Sequence, residues 1–432
     1  MTFFERCRSF TVKVSGGSGV IFQPMTNDYS YILTAKHNLY NDPDTMKEAK
    51  EKILIEACGI EINFNQSHRY EHETLDIAIL KINNVDIDTP FKEFEKLSKD
   101  LNYEFYGYPK YKRDENTEEI KEQIVNYKVS FSKQDASLIT CDNSDFSDIE
   151  EIKGASGGGL FREEDAKIYL VAIEYEMNPK KDSIASHGRI DFMSIEVFDE
   201  IIEKNNELVP LNPPYMDNFD LLVDDIFSFT SLYIEKDKVI NLLKDIVKYE
   251  IKDKITPQNI FEKYKNDLFV KNEDIKVFSN KELWVRYLEF LVLSKLIDNH
   301  EINLDSIDEV YKKRQFLFTR EKSWIYAVKY LFSNNLKLKN TNTSICIASE
   351  FDTKPDMCEI PPKLVSSINQ VPTRRMNIDR GISNPLEEIS IQHIHNFQIK
   401  LTNNQTILDG LNIDDLEERV RSEAKYTFEK NS

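Results

Sequence analysis

From Phe10 to about Met193 the chain alternates short apolar or two-periodic runs with turn residues, the pattern of many short strands. The runs are Phe10–Val14, Gly19–Gln23, Tyr29–Thr34, Ile53–Ala57, Ile60–Phe64, Leu75–Ile82, Tyr103–Tyr108, Ile124–Phe131, Ser137–Thr140, Gly159–Phe161, Lys167–Tyr175 and Gly188–Met193. Turn clusters such as Ser15-Gly16-Gly17-Ser18 and Asn41-Asp42-Pro43-Asp44 separate them. Strands at this spacing predict a β-sandwich or paired barrels. A helix closes the region, with Ser194 as N-cap and Val197, Ile201 and Ile202 as its apolar stripe.

The stretch Leu208-Val209-Pro210-Leu211-Asn212-Pro213-Pro214 follows. Three prolines so close together predict a stiff connector. Past it the period changes to that of helices: Asp217–Tyr233, Lys236–Tyr249, Pro257–Leu268, Lys281–Asn299, Arg320–Phe332 and Leu416–Phe428. Two strand-like pieces, Gln315–Thr319 and Ser344–Ala348, interrupt them. The expected organisation is multidomain. An all-β domain spans residues 1–205, a Pro-rich linker 206–218, and a mainly α-helical (α+β) sensing or interaction domain 219–432.

Composition narrows the function. The formal charge of −19 opposes non-specific contact with nucleic acid or anionic membranes. The five cysteines, Cys7, Cys58, Cys141, Cys346 and Cys358, include no CxxC pair. Neither a disulfide framework nor a zinc site can be read from them, so reduced thiols in a cytoplasmic protein are expected. Residues Met1–Arg6 carry no signal-like apolar stretch, and no apolar run is long enough to span a bilayer.

One stretch suggests chemistry: Lys153-Gly154-Ala155-Ser156-Gly157-Gly158-Gly159-Leu160-Phe161. A serine among glycines can sit on a sharp turn with main-chain N–H groups facing a ligand, as an acyl-transfer nucleophile requires. A plain Gly-rich hairpin turn is the alternative. A serine hydroxyl needs an imidazole base, and the imidazole needs an orienting carboxylate. The best-placed histidine is His37, just past the strand-like Tyr31-Ile32-Leu33-Thr34-Ala35-Lys36. The best acid is Asp76, at the head of Leu75-Asp76-Ile77-Ala78-Ile79-Leu80, although a surface turn is the commoner place for an aspartate.

Together, Thr34-Ala35-Lys36-His37, Asp76–Leu80 and Gly154–Gly158 resemble the motifs of chymotrypsin-like (trypsin-like) serine proteases, in that family's order. Gly19-Val20-Ile21-Phe22 resembles the strand ahead of the histidine, and Tyr106-Gly107-Tyr108-Pro109 the opening of the second barrel. The resemblance covers residues 8–205. It implies two six-stranded antiparallel barrels with a Ser-His-Asp triad in the cleft between them. His37 would be the general base and then acid, Asp76 its orienting partner and Ser156 the nucleophile. The N–H groups of Gly154 and Ser156 would form the oxyanion hole. No cofactor or metal is implied.

Two positions depart from the family. Ala155 replaces the aspartate that anchors the loop in cleavage-activated members, and Asn38 replaces the cysteine after the histidine. By resemblance Glu150 falls near the base of the S1 pocket, and Glu174 and Glu176 lie on the strand that pairs with substrate, which implies a basic P1 residue. Asp148, Glu150 and Glu151 also read as a solvated acidic loop.

Other features carry less. His68 and His72 have the i, i+4 spacing of metal ligands but sit in what reads as an exposed loop. His393 and His395 would share one face of a strand, in a structural role. His187 ends a polar loop. Arg374, Arg375 and Arg380 read as a solvated loop, and no nucleotide-binding glycine motif occurs. The second half lacks a PDZ-type loop. Its architecture is similar to bacterial immune systems of the ABC-three-component kind. The expected function is a serine endopeptidase acting on protein or peptide, controlled by its C-terminal domain or a protein partner (an ATPase among the candidates), in antiviral defence. A catalytically silent scaffold and a polyprotein-processing enzyme are the alternatives.

Overall fold

The computed structural model describes the chain except residues 44, 94–96, 115–122, 144–150, 165, 177–187, 272–274, 332–343, 351–354, 356, 362–388 and 430–432. The chain divides into two compact units, Met1–Pro214 and Tyr215–Ser432.

The first unit is built on two sheets. In the first sheet are β1 (Thr11–Val14), β2 (Gly17–Phe22), β3 (Tyr29–Thr34), β4 (Ile55–Ala57), β5 (Ile60–Glu61), β6 (Arg69–Glu71) and β7 (Ala78–Asn83). They pair antiparallel in the order β5-β4-β1-β2-β3-β7-β6. The second sheet takes β8 (Phe91–Lys92), β9 (Tyr103–Gly107), β10 (Val125–Asp135), β11 (Leu138–Asp142), β12 (Gly159–Glu164), β13 (Lys167–Glu176) and β14 (Arg189–Ser194). Its order is β12-β9-β10-β11-β14-β13-β8, and β12 also pairs with β13. That extra pairing closes six antiparallel strands into a ring, which removes their free edges. The short β8 adds parallel to the outside of β13.

The expectation of two closed six-stranded barrels therefore holds for the second sheet only. Among the described residues the first sheet stays open, because its end strands β5 and β6 are two and three residues long and do not pair with each other. Neither β6 nor β8 stands out in the sequence, since a two- or three-residue strand is too short to show a period.

Part of the expected 206–218 linker belongs to the first unit. Leu208 and Leu211 are buried in its core. The Tyr31 hydroxyl donates to Val209 O (3.1 Å) and accepts from Val209 N–H (2.8 Å), while Met25 N–H donates to Pro210 O (3.0 Å). The prolines stiffen a strap laid along β3 rather than a free tether.

In the second unit the central element is helix Lys281–Asp298, apolar almost all round and nearly wholly buried. Such a helix suits the middle of a core. Its two buried charges are paired: Arg286 bonds Glu282 and Glu289, and the Glu289 carboxylate also accepts from Phe227 N–H (2.7 Å). This last bond explains why Asp217–Tyr233 is not the helix its periodicity suggests. Phe227 takes φ of +50°, its N–H turns to Glu289, and only the short turn Phe219–Leu222 is helical (3-10). Helices Ser306–Lys313 and Asn396–Asn403 stand where the sequence shows no clear helical period.

A four-stranded sheet completes the second unit: β15 (Arg314–Thr319), β16 (Ser344–Ser349), β17 (Glu359–Ile360) and β18 (Ser390–His393), in the order β15-β16-β18-β17. The first three strands in that order run parallel, and β17 is an antiparallel edge. β18 is hidden in the sequence because Ser390 and Gln392 look like loop residues. They bond each other (2.9 Å), and Gln392 also accepts from Asn396 (2.8 Å), so Gln392 is buried at little cost beside the half-buried Ser390. The strand ends at His393, and His395 lies at the start of the next helix, so the two imidazoles do not share a strand face. Burial, His395 and Arg286 hold His393 well below the usual histidine range, in its neutral form.

None of the five cysteines is in a disulfide; Cys7, Cys141 and Cys346 are buried, and burial pushes Cys141 and Cys346 up to about 12. Arg374, Arg375, Arg380 and His187 lie outside the described residues. Among the described residues no helix is long and apolar enough to cross a membrane, and no cluster of metal-ligating side chains occurs.

Breaking one half of a buried ion pair strands the other charge in the core. Glu289→Ala is expected to cost the second unit about 3–5 kcal/mol, read from a denaturant titration. The double change Arg286→Met with Glu289→Leu is expected to recover only part of that loss, because the buried Phe227 N–H is left without its acceptor. A loss for Glu289→Ala within about 0.5 kcal/mol, the range of an ordinary surface change, would mean the pair is not sealed from water.

Candidate active site

The register of β3 on β7 builds the first half of the site. Thr34 lies opposite Ala78, so two residues further Lys36 lies opposite Asp76, and Lys36 N–H donates to Asp76 O (3.3 Å). Thr34 Oγ1 donates to Ser18 O (2.6 Å), which ties the end of β3 to β2. Ala35 is fully buried and extended, and the chain then turns as the 3-10 helix Lys36–Leu39. His37 is thereby delivered to Asp76. Its N–H donates to Oδ1 (2.7 Å) and its ring Nδ1 lies 2.5 Å from Oδ2. A carboxylate that accepts a hydrogen bond from Nδ1–H fixes the tautomer and leaves the Nε2 lone pair for a proton from elsewhere.

Asp76 is itself held by a loop folded around His72. Thr74 N–H (3.2 Å) and Leu75 N–H (2.9 Å) both donate to His72 Nδ1, and His72 N–H donates to Ile77 O (3.1 Å). The other ring nitrogen bonds Glu200 Oε2 (3.0 Å) on the closing helix Phe198–Glu203. The expectation of an exposed loop for His72 is corrected: the imidazole is buried and its nitrogens are engaged by main chain and carboxylate. The i, i+4 spacing with His68 has no helical meaning, because Gln66–His68 is a single 3-10 turn and His72 follows β6.

The serine loop forms the second half. Ala155 N–H donates to Ile152 O (2.8 Å) and Gly158 N–H to Ala155 O (2.9 Å), which curls the chain around Ser156. Gly154 and Gly157 take φ of +85° and +88°, where side chains are strained. Gly157 is doubly constrained, since a Cβ there would lie 2.0 Å from Ser18 O. The loop is stitched to β13 by Gly157 N–H to Glu174 O (2.9 Å) and Glu174 N–H to Gly158 O (2.7 Å). The Ser156 carbonyl accepts from Ser18 N–H and from Asn38 Nδ2, each at 2.7 Å. Ala155 is fully buried in the barrel's apolar cluster, against Gly107, which leaves no place for a charged side chain.

The structure thus brings His37 and Asp76 into direct contact and places Ser156 one hydrogen bond from the neighbour of His37. The Ser156 hydroxyl and N–H have no hydrogen-bond partner among the described residues. Glu174 is buried on β13 beside the loop. Glu176 is described through its backbone, opposite Asp191, and Glu150 lies outside the described residues. Sequence reasoning missed His72 and the roles of Thr34 and Asn38; only position beside His37 and Asp76 could have signalled them.

Residues 192–403 match the model of a family described as CTD4, the C-terminal domain 4 of the ABC-three component (ABC-3C) systems. Among solved structures, the chain is similar to the serine endoprotease from Yersinia pestis, at 17% identity over 46% of this chain and 64% of that one, with a TM-score of 0.33. It is also similar to the inactive serine-to-alanine mutant of Rv3671c from M. tuberculosis H37Rv, at 13% identity over 48% of this chain and 91% of that one, again with a TM-score of 0.33. Scores at that level establish no shared fold, and the barrel rests on its own strand pairings. No curated protein matches.

Gly157→Ala puts a methyl group against a main-chain oxygen at a left-handed φ, so the loop or β2 must move. The expected outcome is a loss of about 2 kcal/mol or more in the first unit, measured by thermal or denaturant unfolding. A variant as stable as the parent would show that the loop does not dock on Ser18 as described.

Proposed function

We propose that the first unit is a serine endopeptidase that hydrolyses peptide bonds through an acyl-enzyme. The observation that carries this reading is the His37–Asp76 contact, with both carboxylate oxygens engaged on one histidine, beside a serine held on a glycine turn. In the proposed reaction His37 Nε2 takes the Ser156 hydroxyl proton as Oγ attacks the substrate carbonyl. Asp76 stabilises the imidazolium, which then protonates the leaving amine. A water, deprotonated by the same imidazole, releases the acid. The N–H groups of Ser156 and Gly154 would receive the oxyanion, and donors of this kind are worth about 10²–10³ in rate. A basic P1 side chain is the proposed preference, because Glu174 is a buried carboxylate on the strand beside the loop, and a cation there would be strongly favoured.

The C-terminal match supports placing the chain in a multi-component system with protein partners. Within that reading, an ATPase is the proposed partner class and antiviral defence the proposed setting. The Ser156 hydroxyl, which has no hydrogen-bond partner among the described residues, fits an enzyme whose last step of assembly is supplied by the C-terminal domain or a partner.

A peptide library varied at P1 tests the reading, with Ser156→Ala as the blank. The expected result is cleavage after Arg or Lys that vanishes in Ser156→Ala and falls by about 10⁴ in Asp76→Asn. Cleavage that survives Ser156→Ala would overturn the nucleophile assignment. Cleavage after Leu or Glu would overturn only the P1 preference.

A further inference from the structure

A nucleophile and its base must be held at a fixed separation, yet Ser156 makes no side-chain hydrogen bond among the described residues that would do so. What holds Ser156 is its main-chain carbonyl. One of its two donors, Ser18 N–H, belongs to β2; the other is the Asn38 side chain, on the same 3-10 turn as His37 and one residue along. We propose that Asn38 is the positioning residue that sets the nucleophile against its base: its side-chain amide grips Ser156 O while its backbone continues from His37. This rests on the serine endopeptidase reading.

Four observations make Asn38 a built clamp rather than a chance contact. The residue is buried, so its hydrogen bonds are not diluted by water. Its Nδ2 also lies 3.2 Å from Thr34 Oγ1 and 3.4 Å from Ser18 O, so the amide is turned with its donor face to the loop. Its own carbonyl is fixed by Lys50 Nζ (2.7 Å), which keeps the turn from rolling. Room for the side chain exists only because residue 17 is glycine: a Cβ there would lie 2.1 Å from Asn38 Oδ1. The chain thus gives up a side chain on β2 to seat this amide. Asn38 touches neither substrate nor reacting atoms, so its effect on rate runs through the placing of Ser156. A displacement of the order of 1 Å at a reacting centre can cost about 10²-fold.

Asn38→Asp is the decisive variant, because it keeps the shape and exchanges the donor for an acceptor that faces two carbonyl oxygens. Two readouts are needed. The first is hydrogen exchange of the Gly157 and Gly158 amides, which are both hydrogen-bonded and whose exchange does not depend on activity. These are expected to exchange about 10–100-fold faster in the variant than in the parent, with β9 and β10 unchanged. The second is the rate of phosphonylation by a fluorophosphonate, taken as the ratio of variant to parent. The expected ratio is about 0.01–0.1 near pH 8. The faster exchange should diminish as the pH falls towards about 5, because the introduced carboxyl regains a donor once it is protonated. Asn38→Ala, which buries no charge, should also be slowed, by a ratio that does not change with pH. A part that served stability alone would give a flat ratio near one. That result, with unchanged exchange at Gly157 and Gly158, would overturn the proposal. If the parent itself is not phosphonylated, the endopeptidase reading fails while the exchange experiment still decides the clamp.

Discussion

The candidate site depends on one constraint, the antiparallel register of β3 on β7. Pairing Thr34 with Ala78 sets the residue before His37 opposite Asp76, and the carboxylate then meets both the His37 N–H and its ring nitrogen. A slip of one residue would turn Asp76 to the other face of the sheet and break both bonds. The register is strongly specified, because Ile32, Leu33, Ile79 and Leu80 are all fully buried and a slip would disturb each of them. The cost of misplacing the carboxylate is thus carried by ordinary core packing. His72 adds a local restraint, curling the loop before Asp76 around a buried imidazole.

The serine loop depends on the second sheet instead. It leaves the barrel just before β12, and its glycines let it lie between Ser18 of β2 and Glu174 of β13. Ring closure through β12–β13 makes that position rigid, since β12 is bonded on both sides. Ala155 fits the same picture. The loop is anchored by apolar burial and main-chain bonds, with no ion pair to form or release at this position. The His37 turn and the Ser156 loop are joined by the polar contact of Asn38 with Ser156 O.

Much of this was legible in the sequence because it is local. Strand periodicity locates β1 to β3, β7 and β9 to β14 within a few residues, and the turn chemistry of Gly154–Gly158 marks the loop. Long-range satisfaction of polar groups was not legible. His72 reads as a loop residue until its two main-chain donors and Glu200 are in place. Asn38 reads as a missing cysteine until Gly17 and Ser156 lie beside it. In the second unit, Asp217–Tyr233 has helical spacing, but the buried Glu289 takes the Phe227 N–H, and tertiary context overrides the local preference. The polar β18 is a strand only because its side chains find partners in the core. The open first sheet follows from end strands too short to leave a pattern.

The central claim is that Ser156 is a nucleophile activated by His37 and Asp76. Its most direct test is the mass of the intact full-length chain after treatment with a fluorophosphonate, followed by peptide mapping of the adduct. The account predicts a single adduct on Ser156 that disappears when His37 is replaced by alanine. An adduct on another residue, or one on Ser156 that forms equally fast without His37, would contradict it.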